Sequence, residues 1–170
     1  MLTDINGKTI IVTGAGKGIG RATTVMLSEL GAKVVALSRT AADLESLQAE
    51  TGCQTYTIDI GNSNDLRHTM RAVTTAHGLV NCAGINILEP FLEVTDESFD
   101  EVYAINTKAA MIAAQEFSKT LIAAKRGGSI VNLSSVSSFV GFADHTSYCA
   151  SKDAMDSMSR VMANQLGKHQ

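Results

Sequence analysis

Short apolar runs alternate with amphipathic stretches along the whole chain. Residues 8–14 (KTIIVTG) form a β-branched run closed by glycine, which predicts a buried strand. Apolar positions then recur at helical spacing over residues 20–32, with Gly31 as the stop. A second strand is expected over 33–38 (KVVALS), and a second helix over 41–52, again closed by a glycine. Residues 54–60 (QTYTIDI) alternate apolar and polar side chains and predict a third strand, followed by a helix over 62–73. GLVNCAG (78–84) and GGSIVNLSS (127–135) predict two more strands. Between them a long helical region runs from about Asp96 to Lys125, and a last helix covers 147–167. Pro90, the sole proline, lies in a loop before the long helical region. Thr95 there is an N-cap candidate, with Ser98 three residues on making half a capping box. Unbroken strand–helix alternation predicts a Rossmann-like, doubly wound α/β fold: a parallel sheet with helices on both faces. No linker, repeat or low-complexity stretch divides it, so residues 1–170 read as one domain.

The first chemical signal is TGAGKGIG, residues 13–20. It lies between a strand and a helix, where free N–H groups and the helix dipole favour phosphate. The G-x-G-x-x-G spacing fails in both frames, because Ile19 or Arg21 stands at the third position. Gly14, Gly18 and Gly20 instead fit a wider G-x-x-x-G-x-G turn, with Ile19 inside it, able to seat a dinucleotide pyrophosphate. The second strand ends in Ser38 and Arg39, where an NAD-selective site usually carries an acid. Ser38 and Arg39 can bind a 2′-phosphate, and Lys17 can add a second positive charge. The three together, with the acid missing, favour NADP(H) over NAD(H), although Lys17 or Arg39 taken alone reads more readily as a solvated surface charge than as a ligand.

The second signal is YCASK, which puts Tyr148 and Lys152 at i and i+4 on one helix face. Beside an ammonium and an oxidised nicotinamide, phenolate is favoured over phenol, which suits acid–base work. Ser135 lies just past the fifth strand, at the sheet edge where ligands bind in such folds. Y-x-x-x-K by itself is also a common chance pattern, a tyrosine packed on a helix beside a solvated lysine.

In order and spacing, TGAGKGIG, NCAG, Ile105–Asn106, SIVNLSS and YCASK resemble the short-chain dehydrogenase/reductase family over essentially the whole chain. The resemblance implies a catalytic tetrad of Asn106, Ser135, Tyr148 and Lys152. Tyr148 would donate the proton in carbonyl reduction, and Lys152 would hold the nicotinamide ribose. Ser135 would polarise the carbonyl, and Asn106 would support a water-linked proton path. It also implies that Asp59 bonds adenine and that Asn81 and Gly84 lie beside the cofactor, with Cys82 replacing the usual second asparagine. VTGAGKGIGR, VALSRTAADLESL, PFLEVTDESFD and HTSYCASK most resemble NADPH-dependent tetrameric carbonyl reductases that act on L-xylulose and α-dicarbonyls. Val136 and His145 are then substrate-pocket candidates.

Composition supports a folded chain with a core rather than a disordered tail or a binder of polyanions. The chain has 170 residues, 45% hydrophobic and 18% charged, enough for a core. Fourteen basic and 17 acidic residues give a net charge of −3, with no electrostatic case for nucleic acid or an anionic membrane. No signal peptide or membrane span is visible, and no metal site is expected. Cys53, Cys82 and Cys149 read as buried thiols in a reducing cytosol, so the expected location is cytoplasmic. A full dinucleotide fold has one more strand than the five counted here. The expectation is therefore a C-terminally incomplete domain lacking its last strands and substrate loop. The small-molecule carbonyl reductase is expected to be a homodimer or homotetramer in full-length form. Two alternatives stand beside it: reduction of 3-oxoacyl thioesters on a carrier protein, with Lys125 and Arg126 as a thin basic patch, or a form that binds cofactor or pairs with subunits without turnover.

Overall fold

The computed structural model describes residues 5–169. Five strands form one parallel sheet: β1 Thr9–Thr13, β2 Lys33–Ser38, β3 Gln54–Thr57, β4 Ala76–Asn81 and β5 Ser129–Asn132. Their spatial order is β3-β2-β1-β4-β5, so the chain winds outward from β1 in both directions. The connecting helices are α1 Gly18–Glu29, α2 Ala41–Thr51, α3 Ser63–Ala72, α4 Asp96–Tyr103, α5 Ala109–Ala123 and α6 Thr146–Leu166. This is the expected Rossmann-like α/β architecture.

Alternation along the central strands divides the core in two. Ile11, Val35, Leu37 and Leu79 point to one face and pack with Leu66 and Met70 of α3 and Ile112 and Phe117 of α5. Ile10, Val12, Val34 and Ala36 point to the other and pack with Leu44 and Leu47 of α2 and Val25 and Leu27 of α1. Both faces are covered, which is why these strands read as continuous apolar runs.

Several boundaries differ from the sequence expectation, each for a visible reason. The third strand stops at Thr57, and Asp59 begins a turn in which its Oδ1 accepts from the Gly61 N–H at 2.9 Å. The fourth starts two residues early, at Ala76, and ends at Asn81. Beyond Asn81, the Cys82 and Ala83 N–H groups donate to Thr13 Oγ1 at 3.1 and 3.3 Å, which draws the chain off the ladder. The long helical region is not one helix. A π-helical turn at Ala104–Lys108 separates α4 from α5. Thr95 does cap α4: its Oγ1 accepts from the Ser98 N–H at 3.1 Å. Gly31 and Gly52 adopt left-handed φ of 83° and 69° at the ends of α1 and α2, as glycine stops require.

Candidate active site

β1 delivers the chain into the glycine turn, and each glycine there meets a different constraint. Gly14 has φ +68°, and a Cβ on it would lie 2.7 Å from Ala83 Cα and 2.8 Å from Ala83 N. A Cβ on Gly20 would run into the Gly14 carbonyl oxygen. Gly18 has φ +53° but open space around it, so its need is conformational. Gly16, which the spacing argument passes over, is also closely approached, here by side chains rather than backbone. Its Cβ would sit 2.7 Å from Ser38 Oγ and 3.1 Å from Asp43 Cβ. The turn is thus wedged between the loop after β4 and the β2–α2 corner. Lys17, the N-cap of α1, makes no side-chain cap bond, leaving the first N–H groups of α1 open to an anion. These features fit a dinucleotide pyrophosphate.

A cavity of about 670 Å³ runs over the C-terminal ends of the strands. At one end it is lined by Lys17, Ser38, Arg39 and Asp43. Its middle is formed by Gly14, Gly18, Ile19 and Gly20, with Asp59 at the side. At the far end stand Gly84, His145, Tyr148 and Lys152. The fold therefore gathers twelve of the residues singled out by sequence into one groove, although they span residues 14–152.

Helix α6 brings Tyr148 and Lys152 onto one face. Lys152 is 5% exposed, and its Nζ donates to Leu133 O at 2.7 Å and lies 5.6 Å from the centroid of the Tyr148 ring. Burial lowers the Lys152 pKa, opposed by the neighbouring Cys82 and Asp156. Burial in turn pushes the Cys82 thiol up, against the pull of Lys152. Asn106 lies in the π-helical turn and is fully buried. Its Oδ1 accepts from Ile85 N at 2.8 Å, while its Nδ2 donates to Ile85 O at 2.9 Å and Ser151 Oγ at 3.0 Å. Thr107 Oγ1 donates to Ser151 O at 3.1 Å, so the turn is tied to α6 one residue before Lys152. A Cβ on Gly84 would lie 3.3 Å from Asn106 Oδ1 and 3.6 Å from Lys152 Nζ. Asn106 thus supports the wall of the cavity rather than lining it.

Three further residues stand differently from the sequence picture. Ser135 is not in the cavity lining, to which its loop contributes Leu133, Ser134 and Ser137. Ser135 Oγ accepts from the Ser137 N–H at 3.1 Å, which leaves its own proton available to donate. Val136 is 52% exposed and lies outside the lining, whereas His145 is inside it, edge-on to the Tyr148 ring at 6.4 Å. Asn81 points away from the groove: its Nδ2 donates to Asn132 Oδ1 at 2.9 Å and to Ala110 O at 3.4 Å, tying β4 to β5 and α5.

Sequence reasoning missed Thr13, Gly16, Asp43 and Asp156. Asp156 accepts hydrogen bonds from Ser134 and Ser138, which hold its carboxyl below the usual range. The available signal was helical spacing, since Asp156 follows Lys152 by one turn. Arg126 is spent elsewhere. Its Nη2 donates to Thr74 O at 3.0 Å and Ala76 O at 3.4 Å, at the opposite end of β4 from the groove.

A parallel α/β sheet whose first strand–helix turn faces a Tyr–Lys pair across one groove defines a nicotinamide-dinucleotide oxidoreductase. Residues 8–170 match the short chain dehydrogenase family, and the chain belongs to it. It is 43% identical over 164 residues to L-xylulose reductase of Homo sapiens, covering 96% of this chain and 67% of that protein. Identity, span and coverage are the same for D-erythrulose reductase of Gallus gallus. Among solved structures, a metagenomic short-chain oxidoreductase in complex with NADP superposes with a TM-score of 0.92 at 29% identity, covering 98% of this chain and 80% of that one. Among the described residues no helix is long and apolar enough to cross a membrane.

Proposed function

We propose that this chain encodes the NADPH-dependent reduction of a small carbonyl compound, a ketose such as L-xylulose or an α-dicarbonyl, to the alcohol. The observation that carries the reading is the two-ended groove. Lys17, Ser38 and Arg39 stand at one end with no acid terminating β2, and Tyr148 and Lys152 stand at the other. Arg39 and Lys17 attract the 2′-phosphate, Asp59 serves the adenine, and the α1 N-terminus takes the pyrophosphate. Reduced nicotinamide, when bound, supplies the hydride. The Tyr148 hydroxyl donates the proton to the carbonyl oxygen, so hydride and proton together give the alcohol. The Lys152 ammonium favours the phenolate left behind and holds the ribose. Ser135 donates its hydroxyl proton to the same carbonyl oxygen, and Asn106 keeps a water-linked proton supply open to Lys152. His145, in the groove lining, flanks the substrate. The chain works as a homo-oligomer paired through its long helices, which light scattering reads.

The test is NADPH oxidation by the purified chain with L-xylulose, diacetyl and a 3-oxoacyl thioester. Turnover of the first two, abolished by Tyr148→Phe while NADPH still binds, supports the reading. Preference for the thioester refutes the substrate class. NADPH binding without any turnover, in this chain and in a version extended to the length of its relatives, refutes the activity. Arg39→Ala is expected to weaken NADPH binding more than tenfold with little change for NADH, and equal losses refute the 2′-phosphate assignment.

A further inference from the structure

The phosphate end of the groove contains a carboxylate that no part of the proposed reaction uses. Asp43, in the first turn of α2, lines the groove beside Ser38 and Arg39. Its Oδ2 lies 3.4 Å from Lys17 Nζ. The backbone of Asp43 is held in place. Its Cβ packs where Gly16 leaves room, within 3.1 Å of the position a Gly16 Cβ would take. Its carbonyl accepts from Arg21 Nη1 at 3.3 Å, and Arg21 is itself held on α2 by Ser46 and Glu50. Lys17 is the more exposed partner, with 78% of its side chain exposed against 22% for Asp43.

We propose that Asp43 is a specificity-determining residue that holds back NADP(H) affinity by engaging Lys17, so that a 2′-phosphate must take Lys17 from a carboxylate already paired with it. The inference rests on the NADP(H) reading above. With Asp43 present, the three charges at this end sum to one positive charge facing a dianion. Neutralising it leaves two. NAD(H) carries hydroxyl groups there and has no charge to exchange, so the effect falls on one coenzyme. A carboxylate near the helix N-terminus also favours α2 through its dipole, which is a purely structural role the test must separate.

The experiment is titration of the purified chain with NADPH, NADH and 2′,5′-ADP at low and moderate salt, for wild type, Asp43→Asn, Lys17→Met and the double variant. Asp43→Asn is expected to tighten NADPH and 2′,5′-ADP about three- to tenfold at low salt, less at higher salt, and to move NADH by less than about twofold. In the Lys17→Met background the gain should fall below about twofold. Unchanged or weaker NADPH binding in Asp43→Asn overturns the inference, as does an equal shift for both coenzymes. A full gain without Lys17 overturns it too, since direct repulsion would then suffice. Selective NADPH loss in Arg39→Ala with no response to Asp43→Asn refutes this inference alone. Failure of the wild type to bind either coenzyme refutes both readings.

Discussion

Gly14→Ala, Gly18→Ala and Gly20→Ala separate the two reasons a glycine is needed in the turn. At Gly18 the added methyl has open space, so only the left-handed φ of +53° is strained. That costs about 1 kcal/mol. Gly14→Ala carries the same conformational cost at φ +68° and also drives Cβ to 2.7 Å from Ala83 Cα and 2.8 Å from Ala83 N. Both are backbone atoms, so no rotamer change relieves the contact. Overpacking of this kind adds about 1–3 kcal/mol, for a total of about 2–4 kcal/mol. Gly20→Ala has no left-handed strain and gains about 1 kcal/mol of helix propensity, yet its Cβ meets the Gly14 carbonyl. Its contact is closer than the one at Gly14, so overpacking of about 3 kcal/mol less that gain leaves a net loss of about 2 kcal/mol. Urea denaturation of the three variants reads directly whether Gly14→Ala and Gly20→Ala both lose more than Gly18→Ala. Gly14→Ala should also lose NADPH affinity, because relief of the contact moves Ala83 and hence Gly84 in the groove wall. A Gly14→Ala no less stable than Gly18→Ala would refute the packing argument, and a Gly20→Ala more stable than wild type would refute the contact with Gly14.

Glu116 on α5 is 3% exposed and bonded by Arg67, Arg71 and Lys119 at 2.7, 2.7 and 3.3 Å. Led by the Arg71 hydrogen bond, these partners hold its pKa at about 2, below the ordinary 4.5. A lowered carboxyl contributes stability above its unfolded pKa and loses it as pH falls toward the folded one. The α3–α5 contact should therefore weaken between about pH 4.5 and 2. Discounted for the exposed cations, Glu116→Gln should cost about 2 kcal/mol at pH 7 and progressively less toward pH 3, read by urea titration at each pH. A penalty independent of pH would refute the ionic origin. Asn106→Ala leaves the Ile85 N–H and C=O unpaired inside the fold. It should cost about 2–3 kcal/mol in denaturant melts, with turnover falling further than stability alone explains, and a neutral substitution would contradict the buried network.

Much of the groove was legible in residue types. TGAGKGIG, Ser38–Arg39 and YCASK each carry local chemistry, and each lies at a strand end or helix start that hydrophobic periodicity locates. What stayed hidden was partnership. Asp43 looks like an ordinary helix-start acid until α2 is placed beside the glycine turn. Gly16 looks dispensable until Ser38 and Asp43 stand within van der Waals distance. Thr13 looks like one more strand residue until its hydroxyl accepts from two N–H groups 69 and 70 positions away. The π-helical turn around Asn106 is equally invisible along the chain, since it depends on pairing with Ile85 and Ser151.

By itself the sequence determined the doubly wound fold, the anion-binding turn and the i, i+4 face of Tyr148 and Lys152. These follow from periodicity and backbone freedom over a few consecutive residues. Only the tertiary structure decided which polar groups meet: Asp43 with Lys17, Asn106 with Ile85, Asn81 with Asn132 rather than the groove, and Ser135 with Ser137. A hydrogen bond or ion pair has a range of a few ångströms, and only the packing of helices on the sheet brings distant residues within it.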